Sequence, residues 1–125
     1  MARLVNLYSL PYFRDQGRLQ ELKRLAKTQA DLMPHQVAVA TGCSLDAAME
    51  VLMLLYHLNA VDAFLLVYHD DHPTVPALAI KLSEGLPVLP FTCDVCEGVI
   101  TDRSHLLYDF LFKFREPVQF VSEDR

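Results

Sequence analysis

Two short runs of metal-ligand side chains stand out in this sequence: His69-Asp70-Asp71-His72 and Cys93-Asp94-Val95-Cys96-Glu97-Gly98, with a hairpin's length of chain between them. Two imidazoles and two thiolates complete a tetrahedral zinc shell, whereas either doublet alone leaves the metal half-liganded. A structural Zn2+ site built from Cys93, Cys96, His69 and His72 is therefore expected. Cys-x-x-Cys followed closely by glycine has the shape of a zinc knuckle, in which the turn lets both sulfurs converge and Gly98 relieves the tight backbone. Asp70, Asp71, His105 or a second subunit are the other sources from which the cysteine pair would draw its missing ligands.

Other chemistry is less well served. A redox dithiol is favoured by a βαβ context and a helix N-terminus beneath the first cysteine. Here Asp94 and Glu97 flank the thiols, and negative charge raises a thiol pKa. A catalytic zinc needs an open coordination position and a general base, for which Glu97 and Asp71 qualify by sequence proximity alone. The chain contains no Gly-x-Ser-x-Gly, no phosphate-binding glycine loop and no His-Glu-x-x-His. A non-catalytic protein is expected.

The 125 residues, 52% of them apolar, suffice for one modest core. Asp62 and the His69–His72 cluster interrupt the longest apolar stretch, so no membrane span is expected. The N-terminal residues lack a signal-peptide apolar region, which points to the cytoplasm. Three cysteines cannot all pair within one chain, and in a reducing compartment Cys93 and Cys96 are better read as ligands. Cys43 reads as a small packed residue. The net charge of −5 is unevenly spread. Residues 1–30 hold Arg3, Arg14, Arg18, Lys23, Arg24 and Lys27 against Asp15 and Glu21, a balance of +4. Residues 31–80 hold Asp31, Asp46, Glu50, Asp62, Asp70 and Asp71 and no Lys or Arg, a balance of −6. A phosphate-binding surface must avoid the middle of the chain.

The elements that would position these residues can be read from periodicity. The apolar first eleven residues, ending at Pro11, suit an edge strand or an oligomerisation arm. Residues 14–30 read as a helix, with Leu19, Leu22, Leu25 and Ala26 at helical spacing. Pro34 starts a second helix running to about Thr41, and Gly42 can take the positive φ that ends it. Ser44 is a credible N-cap for a third helix over 45–58. Residues 61–68 form a strand apolar on both faces, which must be buried on both sides or paired with a partner. Residues 77–82 return as its neighbour. Residues 107–115 alternate Tyr108, Phe110, Phe112 and Phe114 with Asp109, Lys113 and Arg115 and read as a strand, although Leu106, Leu107, Phe110, Leu111 and Phe114 also fit a helix. Residues 118–121 would pair back as a hairpin partner.

The run Met33-Pro34-His35-Gln36-Val37-Ala38-Val39-Ala40-Thr41-Gly42-Cys43-Ser44-Leu45-Asp46-Ala47-Ala48, a short Ala-rich helix followed by a Gly-containing turn, a Ser cap and a second helix, resembles the winged-helix superfamily. The resemblance covers about residues 15–82 and rests on element order and turn chemistry. It implies an α+β fold, with three helices and a β-wing formed by the 61–68 and 77–82 strands in a domain spanning 1–82. A β-rich CxxC extension, 83–125, would pack on that domain. DNA binding is what the resemblance alone implies.

The residues that would do the reading argue otherwise. With Leu45, Ala48, Met49, Leu52, Leu55 and Tyr56 toward the core, the third helix presents Asp46, Glu50, Met53 and His57. That stripe has two carboxylates and no cation for phosphates or bases. A protein partner suits it better, with Met53 as an adaptable apolar contact. A DNA-binding alternative would fall to Arg18, Lys23, Arg24 and Lys27 on the first helix. The apolar arm, the 61–68 strand and the aromatic 107–115 face exceed what so short a chain buries easily, so self-association or a partner groove is expected.

Overall fold

Capping chemistry sets the helices. The computed structural model describes residues 2–124. Asp15 accepts a hydrogen bond from the Arg18 backbone N–H at 3.0 Å and starts α1 (Gln16–Thr28), a cap that sequence periodicity did not single out. α2 (Pro34–Thr41) begins on Pro34, whose missing N–H is no loss in a first turn, and Gln36 Oε1 accepts from the Met33 N–H at 2.9 Å. Gly42 then takes a left-handed φ of 73°, and the Ser44 hydroxyl accepts from the Ala47 N–H at 3.1 Å to open α3 (Leu45–His57). The axis turns by 118° between α2 and α3.

The strands are β1 (Arg3–Asn6), β2 (Asp31–Leu32), β3 (Val61–His69), β4 (Leu78–Lys81), β5 (Phe91–Thr92), β6 (Val99–Ile100), β7 (Leu106–Phe114) and β8 (Val118–Val121). The protein is thus mixed α and β, as expected. One sheet has the order β2-β7-β3-β4. β3 and β4 pair antiparallel with Leu65 opposite Ile80, and β2 pairs antiparallel with β7 through Asp31–Lys113 and Leu32–Phe112. β3 therefore has β7 as its second neighbour, in addition to the expected β4. The strand reading of 107–115 holds. β8 does not fold back on β7 as a hairpin: it pairs in parallel with β1, Arg3 opposite Val118. The apolar arm thus finds a strand within its own chain.

Two compact units result, residues 1–62 with 112–125, and residues 63–111; the expected division at residue 82 falls inside the second. In the first unit Phe13, Leu22, Val37, Leu52, Leu55, Phe112 and Phe120 are fully buried. In the second, Leu65, Val67, Ala77, Cys93, Ile100 and Leu106 form a small apolar cluster. Val61, Ala63, Leu65, Leu66 and Val67 are buried and Phe64 and Tyr68 half-buried, so the doubly apolar strand is largely covered on both faces. Leu45, expected in the core, is instead 56% exposed, because as the first residue of α3 it lies at the helix's open end. No single helix among the described residues is long and apolar enough to cross a membrane.

Truncating Phe112, fully buried on β7, is expected to cost about 3–5 kcal/mol on Phe112→Ala. Val39→Ala, at a position 82% exposed on α2, should stay within about 0.5 kcal/mol. Urea denaturation followed by far-UV circular dichroism measures both.

Candidate metal centre

His69 is the last residue of β3, and the chain turns immediately after it. The His72 N–H donates to the His69 carbonyl at 2.8 Å, closing a tight turn that leaves the two imidazole centroids 6.0 Å apart. The Asp70 N–H donates to the His105 carbonyl at 2.8 Å and ties this turn to the residue preceding β7. β5 and β6 form an antiparallel hairpin, Phe91 opposite Ile100 and Thr92 opposite Val99, whose tip is the run Cys93 to Gly98. Within the tip the Cys93 N–H donates to the Gly98 carbonyl and the Glu97 N–H to the Cys93 carbonyl, both at 2.8 Å.

These two turns meet. Cys96 Sγ lies 3.6 Å from His69 Nδ1, and the ligand atoms of His69, His72 and Cys96 all fall within 4.8 Å of one another. Cys93, fully buried in the apolar cluster one turn of chain before Cys96, is not part of that threesome. Burial pushes the Cys93 thiol pKa up, yet the backbone N–H groups of Cys96 and Val95 together with the Cys96 thiol outweigh it, and the net direction is down. Asp94 opposes this only weakly, so the acids flanking the thiols do not dominate as their sequence positions suggest. Backbone N–H groups turned on a sulfur stabilise its thiolate, the form that binds metal.

The far side of His69 is also provided for. Its Nε2 stands 3.6 Å from Asp70 Oδ1 and 3.7 Å from Asp71 Oδ2, within ion-pair range though long for hydrogen bonds. His69, Asp70 and Asp71 form a second group of converging ligand atoms. Asp70 in turn meets His105 Nδ1 at 3.0 Å; that bond holds the Asp70 carboxyl below its ordinary pKa and raises that of His105. A carboxylate behind a metal-binding imidazole fixes its tautomer and orientation. His105 thus engages Asp70 and stands outside both groups of converging ligand atoms.

Comparison with protein-family models, curated proteins and solved structures finds no match to this chain.

One backbone detail differs from expectation. Glu97, not Gly98, takes the left-handed conformation, with φ 62°. Gly98 instead provides space: a Cβ there would stand 3.3 Å from Cys96 Sγ, closer than most such contacts. Elsewhere in the chain, Asp46, Glu50 and His57 are exposed on α3 and Met53 is half-buried beside them. On α1 the Arg18 guanidinium stacks 3.8 Å over the Tyr12 ring, and Arg24 pairs with Glu21 at 2.7 Å. Lys27 is exposed and Lys23 half-buried. Cys43 is half-buried and accepts a hydrogen bond from the Thr41 hydroxyl at 3.0 Å.

Glu97→Gly, which removes a side chain from a left-handed position, is expected to be neutral or to stabilise by up to about 1 kcal/mol. Gly98→Val sets a branched side chain against Cys96 Sγ and should destabilise. Paired urea-unfolding curves read both effects.

Proposed function

We propose that this chain is a winged-helix protein whose wing carries a structural zinc knuckle, and that it serves as a non-catalytic interaction or adaptor module. The zinc assignment is carried by the 3.6 Å separation of Cys96 Sγ and His69 Nδ1. A sulfur and a nitrogen bound tetrahedrally to one zinc, at about 2.3 and 2.0–2.1 Å, stand about 3.5 Å apart. Thiolate and imidazole donors suit zinc better than calcium or magnesium. His69, His72 and Cys96 would hold the ion, with Cys93 as fourth ligand and Asp70 and Asp71 behind His69. Four protein ligands leave no open position for substrate, which favours a structural role. Reduced cysteines serving as ligands fit a cytoplasmic setting.

The winged-helix reading is supported by element order, by the 118° turn between α2 and α3 at a glycine, and by the sheet order that sets β7 between β2 and β3. In that arrangement β3 and β7 would form the wing, in place of the expected 61–68 and 77–82 pair, and residues 70–105 would be carried between them. The interaction role is supported by the outward stripe of α3. Asp46 and Glu50 would repel phosphates, while Met53 and His57 offer adaptable contacts to a protein surface. A DNA-binding reading through Arg18, Lys23, Arg24 and Lys27 is weaker, since the first guanidinium is stacked on Tyr12 and the third paired with Glu21.

Metal analysis of untagged protein purified without chelator should give about one zinc per chain. A chelator should lower the thermal midpoint of the wild type and leave that of Cys93→Ser unchanged. Asp70→Asn should weaken zinc affinity about 10–100-fold through the loss of support behind His69. Metal-free protein with chelator-insensitive stability would remove the zinc assignment.

A further inference from the structure

A groove of about 1080 Å³ runs along the C-terminal half of α1 and the residues leading into and along β8. Ala26, Phe114 and Val118 contribute apolar lining, and Lys23 and Lys27 contribute charge. The other ionic residues along it are already engaged: Arg24 with Glu21 at 2.7 Å, Arg115 with Asp62 at 3.7 Å, and Glu116 with Arg3 at 3.3 Å. Among the described residues no acid lies within ion-pair distance of Lys23 or Lys27. The groove therefore combines an apolar lining with two uncompensated cations one helical turn apart.

α3 carries the opposite pattern. Asp46 and Glu50 are exposed, have no cationic partner among the described residues, and are followed by Met53 on the same stripe. Both pairs are spaced i,i+4, about 6 Å along a helix. Like charges at that spacing destabilise the helix that bears them. Each helix thus carries a small electrostatic cost that the other, laid against it, would cancel at matched spacing. Met53 would at the same time meet the groove's apolar lining. A nucleic-acid duplex would also neutralise the lysines, but it has no apolar stripe to cover Phe114 and Val118.

We propose that the groove between α1 and β8 receives the Asp46-Glu50-Met53 stripe of α3 from a second copy of this chain. Every copy carries both halves of the contact, and a two-fold pairing uses it twice. This deepens the interaction-module reading by naming the partner, and it is independent of whether zinc is bound.

The test is a charge exchange on the full chain. Sedimentation velocity of the wild type at low salt should show a monomer giving way to a dimer as concentration rises from micromolar to submillimolar. Raising salt to screen the contact should weaken association by about tenfold or more. K23E/K27E and D46K/E50K should each remain monomeric, because the two faces then carry charge of the same sign. An equimolar mixture of the two variants should form a heterodimer, since both contacts become complementary again. Circular dichroism and zinc content of the same samples separate a failed fold or a failed metal assignment from a failed contact. A wild type that stays monomeric throughout overturns the proposal, as does a mixture that fails to associate. Binding of the monomer to duplex DNA, lost in K23E/K27E, would assign the groove to nucleic acid instead.

Discussion

The small core of residues 63–111 is built around Cys93, buried where the β5–β6 hairpin turns. Its side chain is fully buried among Leu65, Val67, Ala77, Ile100 and Leu106, a core with few large side chains. Small cores supply only a few kcal/mol of stability, and small domains commonly add a structural metal or a disulfide. Burial raises the Cys93 thiol pKa, but hydrogen bonding from the Cys96 and Val95 backbone outweighs it and the net direction is down. A buried thiolate without a cation is costly, and the imidazoles of His69 and His72 lie beside the neighbouring sulfur. Hairpin, histidine turn and small core thus make physical sense together as the setting of one metal ion.

The flanking carboxylates complete this picture from the other side. Asp70 and Asp71 face His69 Nε2, and Asp70 is itself engaged by His105 at 3.0 Å. Acids that read as merely solubilising in a loop sequence are placed where they would orient an imidazole whose other nitrogen faces sulfur. In the helical unit the same economy is seen at α3, whose caps are internal to the chain and whose outward face is left acidic and uncompensated.

What the sequence made legible was local. Pro34, Gly42 and Ser44 act within one turn of where they stand, so the limits of α2 and α3 could be read from residue types alone. The aromatic alternation through Phe110, Phe112 and Phe114 carried the strand reading of β7. Pairings between distant segments left no such trace: β8 joins β1 across almost the whole chain, and β7 stands between β2 and β3. Leu45 is apolar but exposed, because a position on a helical wheel does not tell whether that turn is covered. For the candidate metal centre, residue types and spacing pointed to the two turns that meet, but the 3.6 Å approach of Cys96 to His69, the burial of Cys93 and the left-handed Glu97 are products of the fold.

X-ray absorption at the zinc K-edge of the purified protein asks whether these two turns share one zinc ion. A shared ion gives two sulfur ligands at about 2.3 Å and two imidazole nitrogens at about 2.0–2.1 Å in a four-coordinate shell. A shell of oxygen and nitrogen alone, or protein that retains no zinc, would contradict it.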